Sequence, residues 1–200
     1  AGILNRPGSL GPDAALRSRG ELPLEALDNA EAAVAAEAMA AVDAESYRSF
    51  NLVIADAAEA FWVRSPGNDD SITLTAIPEG VSMITAHDLN DATSPRIQRF
   101  KPQFEAARPP DPDTGDWTAW QALMGDTGDA GGFEEGIDFG RNAMAFTTEA
   151  TGQDGGFATV SSSLIALPDP TRAKGPEPIK PKWLFAPGRP DQTPYEAIEI

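Results

Sequence analysis

Phe50-Asn51-Leu52-Val53-Ile54-Ala55-Asp56, followed three residues later by Ala60-Phe61-Trp62-Val63-Arg64, is the stretch that decides the fold. Both runs are short, mostly apolar and rich in β-branched or aromatic residues, and the connection is tight, so they read as a hairpin with at least one buried strand. Two more strands are expected downstream. Ser71 to Ile77 alternates Ile72/Leu74 with Thr73/Thr75, the pattern of a half-buried face, and Val81 to Ala86 follows across the Pro78-Glu79-Gly80 turn. Together they predict an antiparallel meander.

Upstream of the hairpin, Ala1-Gly2-Ile3-Leu4 reads as a strand running into the turn-forming Pro7-Gly8-Ser9-Leu10-Gly11-Pro12-Asp13. Ser18-Arg19-Gly20-Glu21 has the spacing of a capping box, and Pro23 would keep the helix it starts short. Leu22, Leu27 and the Ala-rich stretch to Val42 predict two helices, or one bent at Asp28-Asn29 with Asn29 as the second cap. Downstream, Ser94-Pro95 is an N-cap followed by proline at the first helical position, and Ile97, Phe100 and Phe104 give an amphipathic helix reaching Arg108, with Pro102 inside it. After the acidic linker Pro109 to Asp113, Asp116 caps a short helix carrying Trp117, Trp120 and Leu123. Ala143 to Thr148 and Phe157 to Leu167 look like a last hairpin. Residues 168–181 form a Pro-rich excursion, Trp183-Leu184-Phe185 returns as an edge strand, and 191–200 is left as a tail. Strands paired with neighbours and helices grouped between them predict an α+β fold, not a βαβ parallel sheet.

The 200 residues, 41% apolar and 23% charged, suffice for one domain or a small pair. Fifteen Lys and Arg against 31 Asp and Glu give a net charge of −16, which would repel a phosphate backbone or an anionic membrane surface. No apolar run reaches the roughly 18 to 20 residues of a membrane span, so no membrane insertion is expected. The acidic, Pro- and Ala-rich composition suits a bacterial cytoplasmic protein. With no cysteine, these residues offer no thiolate metal site and no cysteine nucleophile.

P-loop, dinucleotide-binding, nucleophile-elbow and paired-histidine motifs are missing. The one histidine, His87, stands beside Asp88; it fits a local hydrogen-bonding role and cannot alone make a zinc site. With Met39, Met83, Met124 or Met144 it could ligate a haem iron, although the methionines suit core packing better. Asn5, Asn90 and Arg141 lie at predicted strand ends, where amides and a guanidinium converging on one pocket could hold an oxyanion or a carboxylate. Turn formation by the asparagines and a surface ion pair by Arg141 account for the same residues.

Several segments share a further property. Leu4-Asn5-Arg6-Pro7-Gly8, Ser18-Arg19-Gly20-Glu21-Leu22, Phe50 to Asp56, and His87-Asp88-Leu89-Asn90 followed by Ser94-Pro95-Arg96 resemble, in that order, the NRDE family, also called the transport and Golgi organisation (TANGO) family. That family begins with Met-Cys-Thr and carries an Asn-Arg-Asp-Glu signature; neither occurs here, so the resemblance implies a single domain over 1–200 that lacks its N-terminal segment. The family resembles the N-terminal nucleophile hydrolases, which implies an αββα sandwich of antiparallel sheets, incomplete at the N-terminus. In those enzymes a Cys, Ser or Thr at the chain start supplies the nucleophile and its own α-amino group the base.

Set against the choloylglycine hydrolases of that superfamily, Asn5 matches the asparagine that helps form the oxyanion site, although Arg6 replaces an aromatic. Asn90 matches a second pocket asparagine. Arg141 matches a late arginine, although Asp138-Phe139-Gly140-Arg141-Asn142 departs from the expected Gly-Thr-Arg. Arg19, Glu21 and Asn51 fall in the most specific blocks and are expected to support the pocket, Arg19 and Glu21 as a buried pair if Glu21 does not serve the capping box. The resemblance implies an amide-bond (C–N, non-peptide) hydrolase acting on a small-molecule substrate, with no cofactor required and these 200 residues inactive alone. The alternative it implies is a non-catalytic protein that binds or traffics haem or an acyl lipid.

Overall fold

A computed structural model describes residues 1–11, 13–67, 71–128, 143–147, 157–173 and 178–200. The fold is α+β with two antiparallel sheets, and the chain divides into two compact units, Ala1–Asp91 and Ala92–Ile200.

In the first unit, β1 (Gly2–Asn5), β2 (Phe50–Ala55), β3 (Ala60–Ser65) and β4 (Thr73–Ala76) form a sheet in that order, every pair antiparallel. Alternation along β2 sends Phe50, Leu52 and Ile54 to one face, where they meet Val63 and the helices α1 (Glu21–Ala26) and α2 (Ala32–Ala40). The helices present Leu22 and Ala26, and Ala32, Ala35, Ala36 and Met39, to that core. These positions recur every three or four residues, and the alanines let α2 lie close to the strands. Asn51, on the opposite face of β2, is equally buried, which is why this strand reads as a nearly continuous run.

Several local expectations are corrected. The capping box does not form: α1 has no side-chain cap, the Ser18 hydroxyl accepts only from the Gly20 amide, and the Glu21 carboxylate is taken by Arg17 at 2.7 Å on the surface. The helix begins at Glu21 itself, so that carboxylate cannot reach back as an N3 residue would. Asn29 does not cap α2; its amide lies over the last carbonyls of α1, those of Glu25 and Ala26. β4 is exposed on both faces, since as an edge strand it leaves only Ile72, just before it, against the core. Residues 81–86 form no strand, because their backbone groups bond to side-chain amides described below.

The cap on α2 comes from the β2–β3 turn. Asp56 accepts the Ala32 amide at 3.0 Å through one oxygen and the Ala58 and Glu59 amides at 2.7 and 3.0 Å through the other. The Ala32 amide, then that of Ala58, holds this carboxyl below the usual range. Asp56→Ala is expected to cost about 1–2 kcal/mol at neutral pH, the worth of a lost cap. Because the folded-state pKa is depressed, the contribution is present above the unfolded value of about 3.9 and disappears as pH falls through the lower folded one. Urea titrations of both forms should show the gap at pH 7 shrinking in acid; a pH-independent gap would contradict this account.

In the second unit, Ser94 caps α3 (Pro95–Ala106) through the Ile97 amide, and the helix continues through Pro102, burying Ile97, Phe100 and Phe104. Phe104 meets Trp120 of α4 (Thr118–Met124) edge to face at 5.2 Å. Beyond them, β5 (Ser162–Ala166), α5 (Pro170–Ala173), β6 (Lys182–Ala186) and β7 (Glu196–Ile198) give a three-stranded sheet in the order β5-β6-β7. β6 is therefore the central strand, not an edge, and residues 191–200 are not a loose tail, since β7 pairs with β6 there. Of the expected last hairpin, which falls partly outside the described residues at 148–156, the described residues form one bridge, Thr147 to Ala158; β5 pairs with β6 across the Pro-rich excursion. No helix among the described residues is long and apolar enough to cross a membrane.

Candidate functional site

Asn51 organises the first unit on the sheet face away from the helices. It stands opposite Leu4 on β1 and Arg64 on β3, with Trp62 two residues from Arg64 on the same face. Its side chain is fully buried and uses its whole bonding capacity. Oδ1 accepts from the Arg6 guanidinium at 2.7 Å and the Trp62 indole N–H at 3.1 Å; Nδ2 donates to the Thr85 and His87 carbonyls at 2.9 and 2.8 Å. Two donors on one side and two carbonyls on the other define the amide's orientation.

A charged layer sits on this amide. The second terminal nitrogen of Arg6 meets Asp88 Oδ1 at 2.6 Å, and Arg64 Nε reaches the same oxygen at 3.1 Å. Two guanidiniums thus share one carboxylate oxygen. Asp88 is nearly half exposed, so solvent screens part of this attraction, whereas Arg6 is mostly covered.

Arg19 closes the other side of the Arg6 turn. It donates to Ser9 Oγ, the Ser9 carbonyl and the Ser49 carbonyl, each at 2.8 Å, while Ser9 Oγ accepts the Arg6 amide and donates to the Arg6 carbonyl. Burial, and secondarily the charge of Arg48, lowers the Arg19 pKa from its ordinary value. Arg19 and Glu21 do not form the expected buried pair: Arg19 turns inward to these carbonyls and Glu21 outward to Arg17.

Asn90 adopts a left-handed backbone with φ 55°, tolerable for asparagine. It closes the loop before it: Oδ1 accepts the Met83 amide and its own amide donates to the Met83 carbonyl, both at 2.9 Å. His87, on the same segment, is half-buried with Nδ1 3.8 Å from Asp91. Asn5 ends β1 exposed, in the cross-strand row Asn5–Phe50–Ser65 on the helix-facing side. The structure therefore joins Asn51 to the segment that Asn90 closes, sets Asn5 in the row of the other face, and leaves Arg141 outside the described residues. Nothing local in the sequence marks Arg6, Trp62, Arg64 or Asp88 as members of one network. The available signal was Asn51 itself, a polar residue inside a buried apolar run, which demands partners of this kind.

Among the described residues no group of three or more His, Cys, Asp or Glu side chains is placed to hold a metal ion. The chain matches no protein-family model, and neither the curated proteins nor the solved structures give a match to it.

Proposed function

We propose that this chain forms the pocket wall of an amide-bond hydrolase of the N-terminal nucleophile kind, NRDE/TANGO-like, with an αββα sandwich as its complete architecture. The observation that supports this reading is the convergence on Asn51: Arg6, Asn51 itself and His87-Asp88 come from three separate blocks that carry the family resemblance, and one buried amide ties them together.

The bonding inventory supports the following division of roles. Asn51 has no donor left for a substrate, so it holds the wall. Asn90 serves its loop. The Asn5 amide belongs to the row of the opposite face; exposed at the end of β1 and outside both networks, it is the donor in this reading for the oxyanion that forms when a thiolate adds to the amide carbon, with the Asn51 network fixing the strand from behind. The thiol belongs to the Cys-led segment that the resemblance places before Ala1; its α-amino group takes the thiol proton and returns it to the amine as the C–N bond breaks, and water then hydrolyses the resulting thioester, releasing the acid and restoring the thiol.

A form carrying that segment, assayed against a panel of acyl amides, should turn over at least one of them and lose turnover when the leading Cys becomes Ala. Asn5→Ala should reduce turnover by about 10²–10³-fold with an unchanged unfolding midpoint. Turnover insensitive to the Cys substitution would overturn the proposal. Saturable binding of an acyl amide without turnover would favour a binding protein instead.

A further inference from the structure

The outward side of the α1–α2 layer has an unusual composition. From Gly20 to Tyr47 the chain contains seven acidic residues, Glu21, Glu25, Asp28, Glu31, Glu37, Asp43 and Glu45, and no Lys or Arg. All seven carboxylates are exposed. On the same layer Leu24 and Leu27 are 69% and 66% exposed, and Val34 of α2 is 49% exposed. These residues point away from the core that Leu22, Ala26, Ala35, Ala36 and Met39 fill beneath them. Glu21, at the edge of this face, is paired with Arg17, and the other six carboxylates lie in a stretch without Lys or Arg. Large apolar side chains at helical spacing on two packed helices, set among predominantly acidic groups, are what a third helix needs in order to dock.

We propose that this face binds a cationic amphipathic helix of a partner protein, with Leu24, Leu27 and Val34 meeting its apolar stripe and the surrounding carboxylates its Lys and Arg. Charge selects this occupant. A second copy docking through the same face would bring fourteen carboxylates together, twice the seven counted above, and nucleic acid or an anionic lipid surface would be repelled. A basic helix turns the same charges into attraction and steering.

The test uses the 200-residue chain, isotope-labelled and titrated with a 14-residue Leu/Lys peptide whose leucines follow helical spacing. Expected are saturable shifts concentrated in residues 21–41, a rise in peptide helicity, and an affinity that falls roughly tenfold or more in the Leu24→Asp/Leu27→Asp variant and again on raising salt. Circular dichroism of the variant confirms the fold, since both positions are exposed. Equal binding of a same-composition peptide without helical spacing would overturn the proposal by reducing it to general charge attraction. So would shifts that map elsewhere, or a dimer of the chain alone that the double substitution dissolves, which would make a second copy the occupant.

Discussion

Asn51→Ala is expected to cost about 3–5 kcal/mol of folding free energy, because it removes one buried amide from four partners at once. The Trp62 indole N–H and the Thr85 carbonyl lie within the buried part of the network and lose their bonds outright, at about 1–3 kcal/mol each. The His87 carbonyl and Arg6 are only partly covered and recover some hydration, so they add less. Asn51→Asp separates bonding from volume: it keeps the one oxygen that accepts from both Arg6 and Trp62 but sets a carboxylate oxygen against two carbonyls. Urea unfolding at neutral pH should place both variants well below the parent protein. An Asn51→Ala midpoint within about 0.5 kcal/mol of the parent would show that the network is incidental. Hydrogen exchange offers a local readout, since the amides of Met83 and Asn90 should lose protection when the 81–91 segment is released from the sheet.

Gly67→Ala is the second substitution expected to be severe. Gly67 has φ 76°, and a β-carbon there would lie 2.5 Å from the Ser49 backbone nitrogen and 2.9 Å from its Cα. Neither atom can swing aside as a side-chain tip would, and Ser49 also supplies a carbonyl to Arg19. Left-handed strain of about 1–2 kcal/mol combines with overpacking of about 1–3 kcal/mol, so a loss of about 2–5 kcal/mol is expected. Gly80→Ala is the control. That glycine has φ 92°, but nothing lies within 4 Å of the added carbon, so it carries the conformational cost alone. Thermal unfolding should therefore rank Gly67→Ala clearly below Gly80→Ala; equal midpoints would mean that the Ser49 contact yields freely.

The parts of the fold legible from sequence are those whose causes are local. The β2–β3 hairpin is readable because two apolar runs flank a four-residue link, 56–59, closed by the pairing of Ala55 with Ala60. The Ser94-Pro95 start of α3 was readable because the cap and its amide are three residues apart. Readings failed where a distant group changed the outcome. Residues 81–86 have strand-like composition, but Asn51 and Asn90 take the backbone groups that a ladder would use. Ser18 and Glu21 have cap spacing, but Arg17 claims the carboxylate. β6 looks like an edge in sequence because its second partner, β7, comes from a stretch with weak strand signals.

The candidate site divides the same way. Asn51 stands out in sequence through the block it belongs to, yet its four partners come from positions 11 to 45 residues away, and no local pattern connects them. Sequence alone determined the α+β class, the acidity, the lack of cysteine and the helix faces, because composition and short-range periodicity act through immediate neighbours. Only the tertiary structure decided which asparagine is buried and fully bonded, which lies exposed at a strand end, and that two arginines share one aspartate. Those outcomes depend on which side of a strand faces which segment, and strand pairing across the chain decides that.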